Sequence, residues 1–134
     1  MTAEIPLEAL VPVLFVGDVA AEKHFYEGLG FTVTYEGPEL PAFVALRHGN
    51  VEFAVKEVAE FDREAPRRTV RWQFRVGDVD QTKAALEGMG IDVDVERVTP
   101  RPDWYYRVLR VETPNGYVVA FEGGNEAVNR APPA

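Results

Sequence analysis

The chain repeats itself at an offset of sixty residues, and this duplication restricts its possible folds more than any other property. Val16-Gly17-Asp18-Val19 returns as Val76-Gly77-Asp78-Val79, and Lys23 as Lys83. Glu27-Gly28 returns as Glu87-Gly88, Gly30 as Gly90 and Val33 as Val93. Nine of eighteen aligned pairs are identical, where an average composition gives about one by chance. Two copies of one supersecondary unit are therefore expected.

Each copy opens on a run rich in β-branched and aromatic residues, 10–16 and 70–76, which predicts a strand. Asp18 and Asp78 follow at the place of a helix N-cap, where a side-chain oxygen can satisfy an orphan amide. In the second copy Thr82, Ala85, Leu86 and Met89 fall at i, i+3, i+4 and i+7, a largely apolar helix face. Phe25, Tyr26 and Leu29 hold the last three of these positions in the first copy. Gly30 and Gly90 supply the left-handed backbone that ends such helices. Strands are expected at 31–36, 41–47 and 51–56, then at 91–98, 104–112 and 117–122. The organisation is βαβββ, twice, in an α+β chain.

A length of 134 residues fits one domain. It is expected to comprise a first module over about 7–57, an exposed charged linker over 58–69, a second module over about 70–123 and a frayed tail over 124–134. Cysteine is absent, which excludes disulfides, thiolate metal sites and cysteine nucleophiles and favours a reducing compartment. Fourteen basic residues against twenty-two acidic ones leave a net charge of −8. That field repels phosphate backbones, so no nucleic-acid partner is expected. The apolar stretch 10–16 is too short to cross a bilayer, and no leader pattern opens the chain. A cytoplasmic protein with no membrane partner is the expectation.

The duplicated βαβββ pattern resembles the vicinal oxygen chelate superfamily, which includes glyoxalase I, extradiol dioxygenases and bleomycin resistance proteins. The resemblance rests on Val11-Pro12-Val13-Leu14, Asp18-Val19, Phe25-Tyr26 and Leu29-Gly30-Phe31. It continues through the stretch from Phe43 to Gly49 and through Thr113-Pro114-Asn115-Gly116-Tyr117. The texture is nearest to the bleomycin resistance type. The resemblance implies two modules forming a half-open, eight-stranded concave sheet, within a homodimer.

Enzymes of that superfamily hold a divalent metal with His, Glu or Gln from four strands. By the family pattern two ligand positions fall on Val11 and Arg71, a third on Ala120 and the fourth on Phe53, or on Glu52 one residue away. Valine and alanine carry no donor atom, and a guanidinium is cationic. Glu122 shares a face with Ala120, but two carboxylates without histidine suit Zn, Ni or Fe poorly. Neither a metal nor any other cofactor is expected. His24 reads as a helix residue and His48 as a turn residue, and no residue is assigned a catalytic role.

Strand alternation sets Val11, Val13 and Phe15 on one face and Leu14 and Val16 on the other. It likewise groups Arg71, Gln73 and Arg75, then Phe43, Ala45 and Arg47, then Val118, Ala120 and Glu122. The stretch from Thr99 to Tyr106 joins two prolines to three consecutive aromatics, which suit stacking on flat ligands. The resemblance aligns Phe43 with one stacking aromatic of the bleomycin binders and places the other on or near Gln73, with Trp72 one residue away. The expected ligand-binding residues are Phe43, Arg71, Gln73, Trp104, Tyr106 and Glu122. A metal-independent protein that sequesters a small molecule, such as a glycopeptide or polyaromatic antibiotic, is the first expectation. A metal-dependent lyase, isomerase or dioxygenase of the same superfamily is the alternative, and an interaction domain without a ligand is the third. The acidic charge favours a cationic ligand, whereas Arg47, Arg71 and Arg75 favour an anionic one.

Overall fold

The structure is a computed structural model that describes residues 4–101 and 104–123; the side chains of residues 67, 68, 101 and 104 lie outside that description. The expected tail over 124–134 also lies outside it. Two compact units divide the chain after Asp62, inside the segment expected to be a linker.

The first unit runs β1 (Val13–Val16), α1 (Val19–Gly28), β2 (Thr32–Tyr35), β3 (Phe43–His48) and β4 (Val51–Glu57). Its sheet order is β1-β4-β3-β2, with β1 parallel to β4 and the other neighbours antiparallel. The second unit holds a five-residue helix α2 (Ala65–Thr69), then β5 (Arg71–Arg75), α3 (Val79–Gly88), β6 (Asp94–Arg101), β7 (Trp104–Glu112) and β8 (Val118–Glu122). Its sheet order is β5-β8-β7-β6, the same pattern again. The α+β class and the duplicated βαβββ organisation are thus observed.

The helix starts follow from chemistry written twice. Asp18 accepts from the Ala21 amide at 3.0 Å and Asp78 from the Gln81 amide at 2.9 Å. At the other end Gly30 and Gly90 take φ of 101° and 77°, a region a Cβ disfavours. The amides of Phe31 and Ile91 then reach back to the carbonyls of Tyr26 and Leu86.

Each helix packs on its own sheet through a narrower stripe than the periodicity implies. In α3 Val79 and Leu86 are buried with Thr82 half-buried, while Ala85 is exposed and Met89 is 43% exposed. Met89 is the C-cap, so it has already left the helical stripe. The matching positions of α1 are Val19, Glu22 and Tyr26, which puts a fully buried carboxylic acid at Glu22. Tyr26, Phe31 and Phe53 meet edge to face, with centroids 4.7 to 5.6 Å apart. Leu14, Val16, Val44, Leu46 and Val55 complete that core. In the second unit Leu109, Val111, Val119 and Phe121 line the helix side of the sheet.

Several boundaries differ from expectation, and three have a plain physical reason. The first strand begins at Val13 because Pro12 has no N–H to donate; its carbonyl still accepts from the Ala54 amide at 2.9 Å. The sixth begins at Asp94, since residues 91–93 are spent leaving the helix. Residues 65–69 of the expected linker form α2, with Pro66 buried in its first turn.

Candidate functional site

Strand alternation gives each sheet a face away from its helix, and these faces hold the residues on which function was expected. In the first unit Val13 and Phe15 are 44% and 52% exposed, while Leu14 and Val16 between and beyond them are buried. Val13 pairs with Ala54, which in turn pairs with Ala45. Phe15 pairs with Lys56, and Lys56 with Phe43. Beyond them Arg47 and Glu52 face each other and form an ion pair of 3.3 Å. The Phe43 ring lies 6.2 Å from that of Tyr35. The Tyr35 hydroxyl donates to Glu39 at 3.0 Å and accepts the Leu40 amide at 3.1 Å, which ties down the loop before β3.

In the second unit Arg71, Gln73 and Arg75 are exposed along β5, an edge strand opposite Val118, Ala120 and Glu122 of β8. The Gln73 amide donates to the Glu122 carboxylate. Next across the sheet, Ala120 pairs with Arg110 and Glu122 with Val108. The Arg110 guanidinium is held by Glu96, with Asp94 at 3.8 Å. Tyr106 lies on the same face of β7 as Val108 and Arg110, paired with Val98. Tyr105 takes the other face, where the Arg97 guanidinium stacks 3.9 Å above its ring.

Four of the expected residues, Arg71, Gln73, Tyr106 and Glu122, therefore share one face of one sheet, with Gln73 bonded to Glu122. Phe43 holds the corresponding face of the first unit's sheet. Trp104 opens β7 with its backbone paired to Arg101, and its side chain lies outside the described residues. Arg110 was missed. Alternation along 104–112 sets it four residues from Tyr106 and would have found it.

The ligand positions of a metal centre can be tested on the strand register. Val13 pairs with Ala54 and its repeat mate Gln73 pairs with Ala120, so Ala54 is the counterpart of Ala120. The fourth ligand position is therefore Ala54, a correction to Phe53 or Glu52. Phe53 faces the helix, packed against Tyr26 and Phe31, and Glu52 is paired with Arg47. The offset grows from sixty to sixty-six because β6 and β7, of eight and nine residues, are longer than β2 and β3, of four and six, and because the connections around them differ in length. Val11, Ala54, Arg71 and Ala120 offer no lone pair to a cation between them, so the residues present do not fit the divalent metal of the family's enzymes. Among the described residues no group of three or more His, Cys, Asp and Glu could hold a metal ion. No helix among them is long and apolar enough to cross a membrane.

Comparison with solved structures returns the same fold across nearly the whole chain. A bleomycin-binding protein in complex with bleomycin is 18% identical, with a TM-score of 0.66 over 90% of this chain and 100% of that one. An antibiotic-binding protein from a Streptomyces species is 24% identical, with a TM-score of 0.64 over 89% of this chain and 98% of that one. A lactoylglutathione lyase from Agrobacterium tumefaciens is 20% identical, with a TM-score of 0.64 over 89% and 96%. None of the curated proteins compared matches the sequence significantly. The family model of the Glyoxalase/Bleomycin resistance protein/Dioxygenase superfamily matches residues 9–121. With the duplicated βαβββ topology this leads to one conclusion: the chain belongs to the Glyoxalase/Bleomycin resistance protein/Dioxygenase superfamily.

Proposed function

We propose that the protein binds a small molecule without a metal and acts by stoichiometric sequestration, as a cytoplasmic homodimer resembling the bleomycin resistance proteins. One observation carries this reading: the four ligand positions hold Val11, Ala54, Arg71 and Ala120, a set that cannot polarise a substrate through a cation. Phe43, Trp104 and Tyr106 serve as stacking groups, and Arg71, Gln73 and Glu122 as the polar groups that orient the ligand. Apolar surface with a few placed polar groups suits reversible binding. The structural likeness to bleomycin-binding and antibiotic-binding proteins supports the ligand class of glycopeptide or polyaromatic antibiotics.

A thermal-unfolding screen against bleomycin and a panel of polyaromatic antibiotics tests the reading. A ligand at one hundred times its Kd adds about 2.7 kcal/mol to stability. The bound compound is expected back unmodified after long incubation, in one-to-one ratio with protomers. Turnover that a chelator abolishes would overturn this in favour of a metal-dependent lyase, isomerase or dioxygenase. A flat response across the panel would favour an interaction domain.

A further inference from the structure

The arginines of this acidic chain are not treated alike. Acidic residues outnumber basic ones twenty-two to fourteen, and most arginines with described side chains are accordingly neutralised. Arg47 pairs with Glu52, Arg63 with Glu112, Arg107 with Asp80 and Arg110 with Glu96, while Arg97 lies over the Tyr105 ring. Arg71 and Arg75 are the exceptions. Both are exposed on the helix-distal face of β5, and among the described residues neither side chain makes an ion pair or hydrogen bond. The carboxylate nearest in register is Glu122, opposite Arg75, and it is engaged by the Gln73 amide that lies between the two arginines.

We infer that Arg71 and Arg75 form an anion-recognition pair, selecting small molecules that carry a carboxylate or phosphate. Four residues of strand separate the two Cα atoms by about 13 Å, so two long side chains leaning inward can close on one oxyanion above Gln73. A guanidinium presents a planar fork of donors that matches both oxyanions. Beside them on the same face Val118 and Tyr106 are half-buried, while Ala120 and Val108 between them are buried. The inference rests on the small-molecule-binding reading and narrows it.

Four naphthalene probes of one shape test it by titration calorimetry at low and moderate salt: 2-naphthoate, 2-naphthyl phosphate, neutral 2-naphthamide and cationic 2-naphthylmethylammonium. Both anions are expected to bind at least tenfold more tightly than the amide, and the cation more weakly than the amide. The order of the two anions then tells carboxylate from phosphate. Arg71→Gln and Arg75→Gln should each remove about tenfold of that preference, and an unchanged urea midpoint shows that the variants fold. A cation bound as tightly as the anions, or a preference surviving in the double variant, would overturn the pair and leave the small-molecule reading standing. Failure of all four probes also overturns it, and the antibiotic screen then decides the broader reading on its own.

Discussion

Asp80, in the first turn of α3, lies 2.6 Å from the Arg107 guanidinium. The hydrogen bond from Arg107, and then its charge, hold the carboxyl below the usual carboxylate range. A carboxyl depressed in the folded state stabilises it above the unfolded pKa, and the contribution disappears as pH falls through the folded value. Carbon-detected NMR titration should therefore place the Asp80 midpoint below its ordinary value, and Arg107→Gln should return it toward that value. The stability gap between wild type and the Arg107→Gln variant should close on acidification. A partner twenty-seven residues away in sequence is not legible until the strand and helix have packed. The aromatic core is a mixed case. Tyr26 falls on the helix face read from periodicity, whereas Phe53, read as a ligand position, is put into the core only by packing; Tyr26→Ala should cost about 3–5 kcal/mol by urea unfolding, with the slope unchanged.

At the scale of the element, local chemistry reads well because it is decided within a few residues. Asp18→Ala or Asp78→Ala removes one cap bond, and each is expected to lower stability by about 1 kcal/mol. Two glycines separate backbone strain from steric exclusion. A Cβ at Gly90, with φ of 77°, would meet nothing within 4 Å, so Gly90→Ala should cost only about 1 kcal/mol. At Gly116, with φ of 89°, it would stand 2.8 Å from the Arg63 carbonyl oxygen. Gly116→Ala should therefore be the more damaging of the two, by roughly a further 1–2 kcal/mol, and urea midpoints give the order. Helix faces were legible only in outline. The apolar periodicity led to Leu86 and Tyr26, but it extended the stripe to the capping residue Met89. It also passed over Glu22, a charged residue whose burial only the packing of α1 on its sheet reveals.

At the scale of the whole molecule, the duplication carries both fold and family, and it governs the metal question through register. If Val11, Ala54, Arg71 and Ala120 hold no cation, exhaustive treatment with EDTA should leave the thermal midpoint and the binding of any ligand from the screen unchanged. A chelator-dependent fall in either, restored by one divalent metal, would count against the proposed function. The repeated Val-Gly-Asp-Val opening, the paired aspartate caps and the terminal glycines were determined by sequence alone, because each acts on a backbone segment only a few residues long. Alternation likewise determined which strand residues share a face, since its period of two is a property of the strand itself. Tertiary structure decided what depends on partners from distant segments. Hairpin lengths decided that Ala54 rather than Phe53 or Glu52 corresponds to Ala120, and cross-strand pairing decided that Glu122 is taken by Gln73. Among the described residues the same pairing leaves Arg71 and Arg75 without an ion pair in an acidic chain, because a charge is matched by what lies beside it in space and not by the composition of the whole.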